Sequence, residues 1–77
     1  MAEIIFPVMS ANDPAAQGVI ATWYVRDGET VAADQIIAEV QMDKVDAEVL
    51  APRAGVVRLI APAEVAIAQG SVIARIE

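Results

Sequence analysis

Between Ile36 and Ala51 apolar side chains recur on every second residue. Ile36, Ala38, Val40 and Met42 alternate with Ile37, Glu39, Gln41 and Asp43; Val45, Ala47, Val49 and Ala51 then alternate with Asp46, Glu48 and Leu50. A helix would gather Glu39, Asp43 and Asp46 into a polar stripe, but period two, the period of a half-buried strand, fits more of the stretch. The apolar parity changes from even to odd between Met42 and Val45. Two antiparallel strands joined by a two-residue loop give that change, because facing residues then lie symmetrically about the loop. With Asp43-Lys44 as the loop, the apolar face pairs Met42 with Val45, Val40 with Ala47, Ala38 with Val49 and Ile36 with Ala51. The other face pairs Gln41 with Asp46, Glu39 with Glu48 and Ile37 with Leu50. Glu39 opposite Glu48 is unfavourable, yet slipping by one residue would turn the whole apolar set outward. Asp-Lys is not the Asn-Gly or Asp-Gly of a type I′ turn, so the pattern leaves the turn type open.

Elsewhere Pro7, Pro14, Gly18, Gly28, Pro52, Gly55, Pro62 and Gly70 cut the chain into short pieces. The predicted strands are Glu3–Pro7, Gly18–Arg26, Gln35–Met42, Val45–Ala51, Gly55–Ile60 and Val72–Ile76, with short pairings around Val31 and Ile67. Trp23 and Tyr24, adjacent on a strand, should face opposite sides, one to the core and one to the surface. The chain also resembles itself. Gly18-Val19-Ile20 returns as Gly55-Val56-Val57, and Ile37-Ala38-Glu39-Val40 as Ile73-Ala74-Arg75-Ile76, one residue closer. The missing residue is assigned to the turn, where Arg26-Asp27-Gly28-Glu29-Thr30 becomes the glycine-free Ala61-Pro62-Ala63-Glu64. Two copies are too few to stack as a solenoid. They predict one all-β domain over residues 1–77, a pseudo-twofold sandwich or flattened barrel with repeat halves at about 18–40 and 55–76. The hairpin 36–51 lies between them and protrudes at one end.

Composition agrees and excludes much chemistry. Val and Ile number 11 and 9 against 2 Leu, which suits a pleated surface; the 16 Ala lean the other way. With 77 residues the chain holds one domain, and a domain this small buries only about 60% of its unfolded surface. There is no Cys and no His, which removes disulfides, thiolate metal sites and Ser-His-Asp or Cys-His catalysis. No run of carboxylates resembles a calcium loop, so neither a metal site nor a catalytic residue is expected. The net charge of −6 argues against nucleic acid and anionic membranes as partners. No apolar run reaches the length of a membrane span, and Met1-Ala2-Glu3 lacks the basic start of a signal peptide. The expected compartment is the cytoplasm of a bacterial-type cell, or the mitochondrial matrix for a fragment of a eukaryotic complex.

The chain has one lysine, Lys44, at the tip of the predicted hairpin. Most lysines on hairpins are solvated or guard an edge; the alternative is a covalent attachment point, where a tight turn presents an amine to a modifying enzyme. Asp43, Asp46, Glu39 and Glu48 surround it with negative charge, which serves solubility or recognition by a basic patch.

Three segments carry a family resemblance. Gly18 to Val31 resembles the opening half of a lipoyl domain, Ile37 to Val49 its lipoylation hairpin, and Ala51-Pro52-Arg53-Ala54-Gly55-Val56-Val57 the entry to its second half; Pro7, Met9 and Ser10 resemble the end of its first strand. The chain thus looks like a lipoyl domain, of the biotinyl/lipoyl attachment family, from the dihydrolipoyl acyltransferase component of a 2-oxo acid dehydrogenase complex. The resemblance implies a flattened β-barrel, or barrel-sandwich hybrid, of two four-stranded antiparallel sheets. It implies lipoic acid in amide linkage on Lys44, with Asp43 serving the turn and recognition by the lipoate-attaching enzyme. This swinging arm would carry acyl groups and electrons between the thiamine-dependent 2-oxo acid decarboxylase, the acyltransferase core and dihydrolipoyl dehydrogenase. The domain itself would be a non-catalytic carrier, monomeric in isolation. Gln41-Met42 stand where the family often has Glu-Thr, and Val45 where it has Ala. The Ser10–Gly18 loop is longer than usual; the resemblance places it near the lysine turn with a part in partner recognition. Two alternatives are a biotinyl carrier domain of a carboxylase, whose hairpin normally reads Met-Lys-Met, and an unmodified barrel-sandwich adaptor module.

Overall fold

The computed structural model describes residues 2–13 and 15–77. Eight strands run in chain order: β1 (Ala2–Ile5), β2 (Gln17–Trp23), β3 (Thr30–Val31), β4 (Ile36–Met42), β5 (Val45–Leu50), β6 (Gly55–Leu59), β7 (Ile67–Ala68) and β8 (Val72–Ile76). They form two four-stranded antiparallel sheets, ordered β1-β8-β6-β3 and β5-β4-β2-β7. The described residues contain no helix. This is the expected all-β barrel-sandwich, with the short pairings at Val31 and Ile67 supplying one edge strand of each sheet.

Between the sheets lie the side chains that period two turns inward. Phe6, Ile20, Ile37, Ile73 and Ile76 are the largest fully buried ones, and each stabilises the fold by about 1.5–3 kcal/mol relative to exposure. Trp23 is half-buried against this core and donates its indole N–H to the Ala61 carbonyl at 3.1 Å. Tyr24 is exposed, so the two aromatics do divide between core and surface.

The sheets correspond element by element. Exchanging β2 with β6, β3 with β7, β4 with β8 and β5 with β1 turns one strand order into the other. Loop hydrogen bonds repeat as well: Tyr24 N–H to Ile37 O matches Ile60 N–H to Ile73 O, and Ala51 N–H to Gln35 O matches Phe6 N–H to Ser71 O. Burial follows, with Leu50 and Ile5 exposed at 46% and 47%. Gly18 and Gly55 also correspond, and both sit where a strand passes close to backbone. A Cβ at Gly18 would collide with the Gln41 carbonyl and the Phe6 ring; at Gly55 it would lie 2.5 Å from the Glu77 carbonyl oxygen.

Two expectations need correction. The β4–β5 ladder runs as predicted from Met42–Val45 through Ala38–Val49, but Ile36 then pairs with Leu50 rather than with Ala51. A β-bulge at Ile37 causes the shift, so the second isoleucine is fully buried while Ile36 is 40% exposed. The corresponding residue Ile73 is bulged likewise, since Ile4 pairs with Ala74 and Ile5 with Val72. The second correction concerns the residue by which the halves differ. It is not lost in the turn. Ile20 pairs with Val40 and Thr22 with Glu39, leaving Ala21 as a bulge, whereas Val57, Arg58 and Leu59 pair with Ile76, Arg75 and Ala74 without interruption. The turns are equal in length, and Glu64 at φ 66° stands where Gly28 at φ 86° stands in the first half.

Candidate functional site

The hairpin from β4 to β5 is held in register up to its last pair, Met42 with Val45. Met42 is buried and anchors the tip, while Asp43, Lys44 and Val45 are exposed. Asp43 adopts φ 57°, a conformation that aspartate tolerates better than most side chains. Lys44 is not among the described residues with positive φ; type I′, which needs positive φ at both loop positions, is therefore excluded.

Among the described residues Lys44 makes no side-chain hydrogen bond or ion pair; the salt bridge found is Arg58 Nε to Glu77 Oε1 at 2.9 Å. The tip amine is thus presented to solvent on a rigid support. Its surroundings are acidic as expected, with Asp46 opposite Gln41 and Glu39 opposite Glu48. Tyr24 donates its hydroxyl to Glu39 Oε2 at 3.2 Å. That bond, and the carboxylate's charge, favour the neutral phenol and raise the Tyr24 pKa above its ordinary 10.0. On the other sheet the place of Glu39–Glu48 is taken by Arg75–Glu3, so the facing carboxylates belong to the sheet that bears the lysine, while the other sheet sets Arg58 opposite Arg75.

The start of β2 lies at the same end. Val19 pairs with Gln41, and the ladder continued brings Gln17 level with Asp43. Ala15 and Ala16 therefore lie toward the lysine end, as does β7, whose Ile67 and Ala68 pair with Gly18 and Gln17. Just beyond β7, Gln69 is buried, and its amide bonds the backbone of the loop after β1. The sequence pattern did not single out Gln69. The available signal was a break in the repeat, because Ala33 occupies its place in the first half. No cavity is found among the described residues, nor any group of three His, Cys, Asp or Glu placed to hold a metal ion.

A solvent-facing lysine thus stands on a tight turn at one end of a pseudo-twofold barrel. The chain belongs to the Biotin_lipoyl family, described as "Biotin-requiring enzyme", whose profile matches residues 4–76. It is similar to the lipoyl domain of the 2-oxoglutarate dehydrogenase complex from Azotobacter vinelandii, solved in solution, with a TM-score of 0.76 and 28% identity over 96% of this chain and 95% of that one. Among curated proteins it is 38% identical over 60 residues to the dihydrolipoyllysine-residue succinyltransferase component of the 2-oxoglutarate dehydrogenase complex of Cupriavidus necator. It is also 38% identical over 66 residues to the dihydrolipoyllysine-residue acetyltransferase component of the pyruvate dehydrogenase complex of Corynebacterium glutamicum. These matches cover 78% and 84% of the chain but only 14% and 10% of those proteins.

Proposed function

We propose that this chain is a lipoyl carrier domain, with lipoic acid in amide linkage on Lys44. The observation that carries the proposal is the position of the sole lysine: an exposed amine with no partner among the described residues, at the tip of a rigid hairpin, in a fold like that of a solved lipoyl domain. The residues present suit such a group. An amide needs only an accessible amine, and without a cavity to hold a prosthetic group a covalent tether is the means of retention. When attached, the dithiolane supplies the redox and acyl-transfer chemistry. The chain's own residues fix the amine's place, keep the tip clear of the barrel and surround it with carboxylates that a basic partner surface can read. Tethering raises the effective concentration of the carried group at each partner.

The partners follow from the relatives' complexes: a lipoate-attaching enzyme, a thiamine-dependent 2-oxo acid decarboxylase, an acyltransferase core and dihydrolipoyl dehydrogenase. The compartment follows likewise, as bacterial cytoplasm or mitochondrial matrix; one relative is the mitochondrial protein of Schizosaccharomyces pombe. The domain acts as a non-catalytic monomer over residues 1–77. Asp43 has two roles, supplying the turn's positive φ and contributing charge for the attaching enzyme. Replacement by Asn should leave the fold's melting temperature unchanged and slow attachment.

The test is intact mass after incubation with lipoate, ATP and a lipoate ligase. One lipoyl group should be gained by the wild type and none by Lys44→Arg. An unchanged wild-type mass overturns the proposal, as does biotin ligase producing a streptavidin-reactive product in its place. Reductive acylation of the loaded domain by pyruvate-, 2-oxoglutarate- and branched-chain-specific decarboxylases then identifies the complex.

A further inference from the structure

The outer faces of the two sheets carry like-charge pairs of opposite sign at corresponding places. Across β2, β4 and β5 runs the row Thr22, Glu39, Glu48. Across β6, β8 and β1 runs its counterpart, Arg58, Arg75, Glu3. Each row sets two like charges on facing residues, carboxylates on one sheet and guanidiniums on the other, and like charges directly opposite are unfavourable in a sheet. Within the chain the relief is partial. Tyr24 donates to Glu39 at 3.2 Å, and Arg58 meets Glu77 at 2.9 Å with both side chains well exposed, where an ion pair contributes little.

An apolar row lies beside each charged one. Two residues along from Thr22, Glu48, Arg58 and Glu3, and so on the same faces, stand Tyr24 and Leu50 on one sheet and Ile60 and Ile5 on the other, all exposed. The bulges at Ile37 and Ile73 bring Ile36 and Val72 into these rows, paired with Leu50 and Ile5. The exchange that relates the sheets also exchanges the ends of the barrel. The acidic row therefore lies on the lysine side of its apolar row, and the arginine row on the Ala2–Ile76 side of its own.

We propose that these two faces dock on each other between copies of this chain, the lysine-bearing sheet of one copy against the arginine-bearing sheet of the next, with their long axes antiparallel. Laying one face on the other reverses the order across the strands, so β5 meets β6, β4 meets β8 and β2 meets β1. Glu48 then faces Arg58 of the second copy and Glu39 faces its Arg75, while Glu3 falls to Thr22 rather than to an acid. The same superposition sets Leu50 against Ile60 and Tyr24 against Ile5. Both like-charge pairs are relieved at once. Three further pairs separate Glu39–Glu48 from the lysine turn, but one separates Arg75–Glu3 from the end of its ladder; the turn projects past the second copy and stays uncovered. Each copy keeps one face free, so successive copies stack. A face no larger than 34 Å by 19 Å falls short of the roughly 800 Å² per partner of a stable interface. The contact is therefore weak: the dilute domain is a monomer, and docking occurs where copies are held close together. None of this depends on what Lys44 carries.

The test is sedimentation equilibrium of the unmodified domain, with amide chemical shifts followed over the same dilution series. Salt at about 0.15 M screens beyond about 8 Å, which mutes the repulsion between copies of net charge −6 and spares close contacts. The average mass should rise with a dissociation constant of about 1 mM. The amides that shift should be those of the Glu39, Glu48, Arg58 and Arg75 rows and not those of the Asp43-Lys44 turn. Glu39→Arg/Glu48→Arg puts arginines on both faces, and Arg58→Glu/Arg75→Glu puts glutamates on both. Each variant alone should associate at least about tenfold more weakly than the wild type, and an equimolar mixture of the two should associate again. A wild type that keeps the monomer mass and unchanged shifts up to about 2 mM overturns the proposal. So do shifts centred on the lysine turn, variants that associate like the wild type, or a mixture that stays dissociated. If a double variant does not fold by circular dichroism, Glu48→Arg and Arg58→Glu replace the pair, and the wild-type dilution series is decisive by itself.

Discussion

The two halves of this barrel share a core and differ at their ends. Ile37 and Ile73, Ala38 and Ala74, Val40 and Ile76 are buried alike on corresponding strands, and the bulges at Ile37 and Ile73 recur at corresponding pairs. Where the halves diverge, the divergence is local. Ala21 adds a bulge to one strand only, Glu64 replaces a turn glycine, Glu39–Glu48 replaces Arg75–Glu3, and the Gln69-bound loop has no counterpart. Packing between two equivalent sheets constrains the inward positions to match, because each wall must fill the same space. Turns and outward faces are free of that constraint, and the halves differ there.

The largest effect should come from deleting Arg58. That strand has no bulge to absorb the loss, so Leu59, its last residue, would change face and leave the core it packs against, and the melting temperature should fall far below that of the wild type. Deleting Ala21 removes a bulge and leaves a ladder like that of β6 with β8; this variant should still melt cooperatively by circular dichroism. Equal melting temperatures for the two would break the correspondence. Next comes Phe6→Ala. Phe6 is fully buried where the other half has Ala51, and truncation should cost about 3–5 kcal/mol in urea unfolding. A cost under about 1 kcal/mol would mean the two ends are packed more alike than the structure shows.

A smaller effect, of opposite sign, belongs to the turns. Glu64→Gly relieves a positive φ and should raise stability by about 0.5–1 kcal/mol, whereas Gly28→Ala should lower it by at least as much. The smallest is electrostatic. In the folded protein Tyr24 should ionise above its ordinary 10.0, measured by absorbance at 295 nm, and Glu39→Gln should bring the midpoint down. Because the folded value is the raised one, any stability this bond contributes is present below the unfolded pKa and is lost as pH rises through the folded one. Tyr24 is exposed, so the loss should be slight.

The pattern of alternating side chains was enough to place the hairpin, because a parity change has one simple geometric cause and the sole lysine falls on it. The same reasoning failed at Ile36-Ile37. Two adjacent isoleucines carry no parity information, so nothing in the pattern says which one enters the core. The bulge at Ala21 was hidden for a related reason: small and partly buried, alanine fits either a bulge or a regular strand, and the length difference was assigned to the nearby turn. Gln69 was invisible because its partners lie 56 to 60 residues away; a polar residue before a glycine reads as an ordinary turn until the loop it holds is seen.

The exchange of β4 and β5 with β8 and β1 has a mechanical consequence. Under it the Asp43-Lys44 turn takes the place of the chain's two ends, where Ala2 pairs with Ile76. The lysine turn and the Ala2–Ile76 pair therefore lie at opposite ends of a body measuring 34 Å by 19 Å by 18 Å. Rotated about the Ala2–Ile76 pair, such a body is a lever that carries the lysine turn with it, with no internal deformation of the barrel.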